Sequence, residues 1–228
     1  MKAYNGDPIS QGGFTGEMSK YETTNAQYCQ FLNSALASRD IFVHTDNKVY
    51  AAGDTSYSEP YFSTEAENSY SQIAYSDGTF SVRTRDGLSM ADHPVVMVSW
   101  YGATAFADYY GWRLPTEWQW QAVADYDGSY TYGCGTTIDQ SKANYYDANP
   151  LGLTSMPYTS PVGHYPAYGY GLCDMAGNVW EWTSTVSGDH RVLRGGGWGY
   201  IDNYSSVSFR IFNYPYESIS HHGFRVCR

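Results

Sequence analysis

The sequence predicts one α+β domain over residues 1–228, with few regular elements and long ordered loops. Three observations lead there. Three short segments carry apolar residues at helical spacing behind N-capping residues. Short alternating pieces with Asp-Gly turns lie between the first and second of them. Residues 128–175 then run almost without periodicity in Gly, Tyr, Asn, Pro and Thr. At 42% hydrophobic and 18% aromatic, the chain has enough apolar matter for a core. A structureless run that long inside a compact domain must be held by packing on aromatics or by a metal ion.

The first helix is expected from Thr24. Thr24 and Gln27 fit a capping box, and Tyr28, Phe31, Leu32, Ala35 and Leu36 follow on one face. The second follows Ser99, with Trp100, Ala103, Ala107 and Tyr110 on one face and Gly111 as its stop. Thr116 and Gln119 cap the third, which ends at Asp127-Gly128. Between the first two, KVYAA and TFSVRT alternate, with Asp-Gly pairs at 77–78 and 86–87, so hairpins are expected. Near the C-terminus, Gly223-Phe224-Arg225-Val226 reads as a strand with Phe and Val on opposite sides.

Charge narrows the function. The chain has 23 acidic and 13 scattered basic residues, net −10, which argues against nucleic acid as a partner. No apolar run approaches the roughly 20 residues of a transmembrane helix, so membrane insertion is not expected. The first residues, MKAYNGDPIS, show no apolar signal-peptide core. The default location is cytoplasmic, while display on a cell or virion surface is also compatible. Cys29, Cys134, Cys173 and Cys227 match no zinc spacing, and leave both two disulfides and four buried thiols open. The six His lack metal-binding spacing, and phosphate-loop, dinucleotide and serine-hydrolase motifs are absent.

Two constellations stand out. In Asp174-Met-Ala-Gly177-Asn178-Val179-Trp180-Glu181-Trp182, two carboxylates flank a Gly-containing turn. If extended, the carbonyls of Gly177 and Val179 could aim with Glu181 at one point, an all-oxygen set that suits calcium. The alternative is that Asp174 caps a turn and Glu181 pairs with an arginine. In Arg194-Gly195-Gly196-Gly197-Trp198, three glycines permit close backbone approach beside a tryptophan.

These motifs occur in an order that also includes Lys20 to Tyr28 (KYETTNAQY), His93 to Trp100 (HPVVMVSW), Gly111 to Trp118 (GWRLPTEW), Tyr170-Gly171-Leu172 and Gly223-Phe224-Arg225. The series resembles the formylglycine-generating enzyme (sulfatase-modifying factor) family over nearly the whole chain. The resemblance implies a C-type-lectin-like fold of the formylglycine-generating enzyme type. It implies a structural calcium site at Asp174, Gly177, Val179 and Glu181. It also implies a second site beginning at Asn144 and the Tyr145 carbonyl, whose acidic ligand would fall near Thr154, with Asp147 as a nearby substitute. The family's enzymes bind copper through two cysteines five positions apart and oxidise a substrate cysteine. Here those positions hold Tyr200 and Ser205, and neither supplies the thiolate that copper(I) chemistry needs. No copper and no enzyme activity are therefore expected. The His-rich iron motif of the related sulfoxide synthases is also missing.

Residues 199–222 occupy the place where those enzymes hold substrate. The stretch has four Tyr, two Phe, three Ile, five Ser and two His, without clean alternation. Tyr, Ser, Asn and Gly together are what adaptable binding surfaces use. The stretch also resembles the rewritten region of diversity-generating retroelement variable proteins. There, mutagenesis at adenines turns Asn codons into many residues but never Lys, Gln, Glu, Met or Trp. Those five types make 32 of 228 residues, so 24 residues would hold about three of them, and 199–222 holds one, Glu217. The expected function is a non-enzymatic ligand-binding protein with a diversified surface at 199–222. Its partner would be a protein or other surface molecule. The alternatives are a copper-oxidase relative and a fixed accessory domain of the same fold. The residues expected to bind are Tyr200, Ile201, Asp202, Tyr204, Phe209, Ile211, Phe212, Tyr214, Ser220 and His221. Tyr200, Tyr204, Phe212 and Tyr214 are expected to face solvent. Trp198, Arg194, Arg210 and Arg225 are assigned to the scaffold.

Overall fold

The structure, a computed structural model, describes residues 14–228. Helix α1 is Asn25–Ser38, and the Thr24–Gln27 capping box is formed in both directions. Helix α2, Trp100–Tyr109, is capped by the Ser99 side chain, and Gly111 follows with φ of +71°. Helix α3, Glu117–Ala124, has the Thr116–Gln119 box. Each cap satisfies otherwise orphaned N–H groups, which explains why these three starts were readable locally. The α2 face differs from expectation: Gly102, Ala103, Phe106 and Ala107 are buried, while Tyr110 is exposed. Phe106 turns inward because Tyr28, Phe31 and Phe224 meet it there, with ring centroids 5.8, 5.7 and 5.3 Å away.

Eleven short strands complete the fold among the described residues. Strands β1 (Ile41–Val43), β2 (Lys48–Ala51) and β3 (Phe62–Ser63) form one antiparallel sheet. Two hairpins follow, β4 (Ile73–Ser76) with β5 (Thr79–Val82), and β6 (Thr84–Arg85) with β7 (Leu88–Ser89). Their turns are the two Asp-Gly pairs, each with positive φ at both residues as the tight hairpin turn requires. The main sheet has the order β10-β9-β8-β11, from β8 (Trp180–Ser187), β9 (His190–Arg194), β10 (Ile211–Asn213) and β11 (His222–Gly223). Only β11 runs parallel to its neighbour in that sheet. Strand β11 ends at Gly223, short of the expected 223–226, and Phe224 and Val226 join the same core cluster rather than opposite sides, as residues two apart in extended chain do. The intervening Arg225 points the other way, toward Glu181.

No helix or strand lies between Asp125 and Val179. That segment is held by specific polar contacts. Arg85 reaches from β6 to the carbonyls of Ser155, Met156 and Pro157. Thr159 meets Gln72 at 3.1 Å and His93 at 2.9 Å. Cys134, Ala143 and Ala176 form a small apolar cluster beneath it. All four cysteines are free and buried. Trp120, Trp180, Trp182 and Trp198 are buried, the last in line with its assignment to the scaffold.

Candidate functional site

The site is built on the Gly195–Gly197 turn and the segment that returns from it. Gly195 and Gly196 have φ of +100° and +81°. A side chain at Gly196 would collide with Ser205, so glycine lets the backbone close against that residue. Ser205 ends a 3-10 turn, Asp202–Ser205, and is fully buried, with its Oγ lacking a hydrogen-bond partner. Tyr200 is half-buried. Its hydroxyl lies 2.8 Å from His221 Nε2, and its ring stands edge-on to Trp180 at 5.5 Å. Tyr204 and Phe209 complete the cluster, 4.8 Å apart and each 6.4 Å from Trp180. The two positions that resemble the enzymes' cysteines are thus filled by a packed tyrosine and a buried serine. No thiolate is present there, and the residues do not fit copper.

This geometry corrects the expectation that four aromatics face solvent. Tyr200 and Tyr204 pack on the core with Phe209 and Ile211. Phe212 and Tyr214 are exposed at 45% and 40%, with Ile201 and Asp202 also exposed. Ser220 is half-buried, and its carbonyl accepts a bond from Trp198 Nε1 at 3.2 Å. His221 is mostly covered, and burial lowers its pKa to about 4. Burial, and then the neighbouring His221, push His222 well below its ordinary value. Two residues that sequence reasoning missed extend the exposed part. Tyr216 stacks on Tyr214 at 5.3 Å, and the His190 ring lies 4.2 Å from Tyr214. The Tyr-Pro-Tyr spacing at 214–216 was a readable sign of the first; nothing marked His190. Phe212 on the edge strand β10 and the stacked pair Tyr214 and Tyr216 just beyond it make up an exposed aromatic ridge.

The scaffold arginines hold this surface from below. Arg210 and Arg194 both approach the buried Glu117 carboxylate, at 2.8 and 3.7 Å. Arg194 also donates to Gln121 and to the Val207 carbonyl, and burial lowers its pKa to about 10.

Of the expected calcium ligands, Asp174, Val179, Glu181 and Asn144 are buried. Asp174 does cap a turn, accepting from the Gly163 N–H at 2.7 Å. Glu181 does pair with an arginine: its Oε2 accepts from Arg225 Nε and Trp120 Nε1, each at 2.7 Å. Its Oε1 accepts from Arg225 Nη2 at 2.8 Å. Glu22 is a third carboxylate here, bonded by Asn178 Nδ2 at 2.7 Å. Burial, then the charges of Asp174 and Glu181, raise the Glu22 pKa well above its ordinary value. Burial lifts Asp174 to about 6. Three buried carboxylates thus share one guanidinium, a charge balance that suits an added cation. Asn144 Oδ1 is buried without a partner, as an uncompensated oxygen ligand would be. The Asn144 carbonyl accepts from Asn178 N at 2.7 Å, and the Tyr145 carbonyl from Ala148 N at 3.1 Å. Thr154 is bonded to Asp86 instead of bringing an acidic ligand, and Asp147 packs its backbone against Trp198. Among the described residues, no three His, Cys, Asp or Glu side chains gather as a metal site. The donor chemistry suits calcium, but the side chains as arranged do not form a closed cage.

Comparison with known proteins fits this architecture. Over 160 residues the chain is 38% identical to the serine/threonine-protein kinase pkn1 of Chlamydia caviae, covering 60% of this chain and 24% of that protein. It is 43% identical to the formylglycine-generating enzyme of Mycobacterium tuberculosis over 113 residues, 45% of this chain and 37% of that one. The chain therefore spans well under half the length of these relatives. Among solved structures, Treponema denticola variable protein 1 superimposes with a TM-score of 0.55 at 23% identity, covering 64% of this chain and 74% of that one. Residues 10–228 match the sulfatase-modifying factor enzyme 1-like domain, and the chain belongs to that family.

Proposed function

We propose that this chain is a non-enzymatic ligand-binding protein of C-type-lectin-like fold that presents a diversified surface within residues 199–222. One observation carries the reading. Where the related enzymes keep reactive cysteines, this chain has Tyr200 and Ser205, and the aromatics around them close over Trp180. Of the large apolar side chains, what remains outward is Ile201, Phe212, Tyr214 and Tyr216. Large, stiff aromatics presented on a sheet edge supply contact area at low entropy cost, and a few such anchors dominate binding energy. The inner residues Tyr200, Tyr204, Phe209 and Ile211 shape and support this face rather than touching ligand over their whole surface. The likeness to the Treponema variable protein supports the fold side of this reading. The partner is a protein or another surface molecule. Calcium serves as a structural ion near Asp174, supported by the surplus of buried carboxylates; the orphaned Asn144 oxygen supports the second site at Asn144 and Tyr145.

The test is genomic. The expected finding is a nearby reverse transcriptase and a template repeat that matches the codons of 199–222 except at adenines. A repeat with substitutions at all four bases, or none at all, overturns the diversification. A copper-oxidase activity on a cysteine peptide after copper reconstitution overturns the non-enzymatic reading separately.

A further inference from the structure

Outside the 199–222 stretch, a cleft of about 510 Å³ lies between residues 19–24, the first turns of α1 and the end of α2. That volume suits a small molecule. The deepest part of its lining is apolar. Phe106 and Val226 are buried there, and Phe106 is held by Phe224 and Tyr110, with ring centroids 5.3 and 5.0 Å away. Tyr110 itself is exposed and lines the opening. The wall along 19–24 is fixed by its backbone. The Ser19 N–H donates to the Val226 carbonyl at 2.8 Å, the Thr23 N–H to the Phe224 carbonyl at 2.9 Å, and the Val95 N–H to the Thr23 carbonyl at 2.9 Å. The cleft is therefore built before anything enters it, which spares a ligand the cost of ordering it.

Most polar groups of the lining are already engaged. Thr24 and Gln27 bond each other in the capping box of α1. Glu22 turns its carboxylate inward, where Oε2 accepts from Asn178 Nδ2 at 2.7 Å and Oε1 from the Val179 N–H at 3.3 Å. Trp112 also lines the cleft, with its ring under the Arg228 guanidinium, and Arg228 is paired in turn with Glu17 at 2.6 Å. Lys20 is different. It is the one cation in the lining, its ammonium stands 5.2 Å from the Tyr21 ring centroid, and no carboxylate among the described residues forms an ion pair with it. In a chain of net charge −10, acids to pair with a lysine are plentiful, yet this one faces solvent beside an apolar cleft. An anion with an apolar body complements both features at once.

We propose that this cleft binds a small amphipathic carboxylate, with its apolar body on Phe106, Tyr110 and Val226 and its carboxylate at Lys20. An aliphatic fatty acid and an aryl-substituted carboxylic acid share that chemistry. Titration of the full chain by calorimetry with octanoate and 3-phenylpropanoate, each beside its uncharged alcohol, 1-octanol and 3-phenyl-1-propanol, tests it. At least one carboxylate should bind about five-fold or more tightly than its alcohol. Preference for octanoate or for 3-phenylpropanoate tells which source is meant. Lys20→Met keeps the apolar stem and removes the charge, so it should weaken the carboxylate about five-fold and leave the alcohol unchanged. Should that variant fail to fold, Lys20→Gln takes its place with the same expectation. Tyr110→Ala, at a 41% exposed side chain, should weaken acid and alcohol alike. Equal binding of acid and alcohol, no binding of either acid, or acid binding indifferent to the Lys20 or the Tyr110 substitution overturns the proposal.

Discussion

The guanidinium of Arg225 grips the Glu181 carboxylate with two bonds, Nε to Oε2 at 2.7 Å and Nη2 to Oε1 at 2.8 Å. Both residues are fully buried, and Arg225 further donates to the carbonyls of Cys173 and Ser19. The pair therefore ties β8 and the last residues of the chain to the segment that precedes α1. Removing the cation would leave Glu181, Glu22 and Asp174 without their shared neutralising partner. We predict that Arg225→Met costs about 3–5 kcal/mol of unfolding free energy at pH 7 in urea titration. Arg225→Lys keeps the charge but loses the planar fork, and should recover only part of that loss. A loss below about 1 kcal/mol for the methionine variant would show that the pair is not a keystone of the fold.

The surplus of carboxylates around Arg225 makes the calcium proposal measurable. Chelation with EDTA should lower the melting temperature, and calcium should restore it in a concentration-dependent way, because a ligand that binds only the folded state stabilises by mass action. Glu181→Ala should abolish that response. A melting temperature indifferent to chelator after prolonged dialysis counts against the ion.

Two buried histidines set an acid limit. Burial lowers the pKa of His93 and of His221 to about 4, against an ordinary value of 6.5. Each contributes stability that is fully present above pH 6.5 and is lost as pH falls toward 4, because the unfolded chain takes up the proton first. The loss is up to about 3 kcal/mol per histidine. Asp174 acts in the opposite sense: its pKa is raised to about 6, so it favours the folded state as pH falls from 6 through 3.8. His221→Gln isolates one share, since the Asp174 share cancels between variant and parent. The parent should lose more stability than the variant between pH 6.5 and 4.5. Parallel curves would show that His221 is hydrated in solution.

What could be read in the sequence was what local chemistry decides. Thr24 with Gln27, Thr116 with Gln119, and the Asp-Gly pairs act within four residues, so their turns and caps are visible in the string itself. The motif order supplied the family. Partners far apart in sequence were beyond reach. An arginine for Glu181 was one of two readings, but its identity as Arg225, 44 residues on, depends on β11 running parallel to β8. Arg85 holding the carbonyls of 155–157 had no local sign at all. Likewise, the lack of alternation in 199–222 hid which aromatics turn inward, because a 3-10 turn and irregular loops replace strand periodicity there.

That division between inward and outward aromatics is directly testable at the proposed binding face. Tyr200 and Tyr204 pack edge-on against Trp180, so truncating either removes aromatic packing and leaves a void. We predict that Tyr200→Ala and Tyr204→Ala each cost about 2–4 kcal/mol. Phe212, Tyr214 and Tyr216 each keep 40% or more of their surface in solvent. Their joint replacement by alanine should cost about 1 kcal/mol or less in total, through the lost Tyr214–Tyr216 stack and the contact of Arg210 with Phe212. Urea titration of the three variants, with circular dichroism to confirm the fold, separates the two groups. If the triple variant loses more stability than Tyr200→Ala, the ridge belongs to the core and cannot be a surface free to vary. If the order is as stated, the outer three positions tolerate replacement as a diversified face must, while Tyr200 and Tyr204 do not. Substitutions that change ligand choice without changing stability should then concentrate at Ile201, Phe212, Tyr214 and Tyr216.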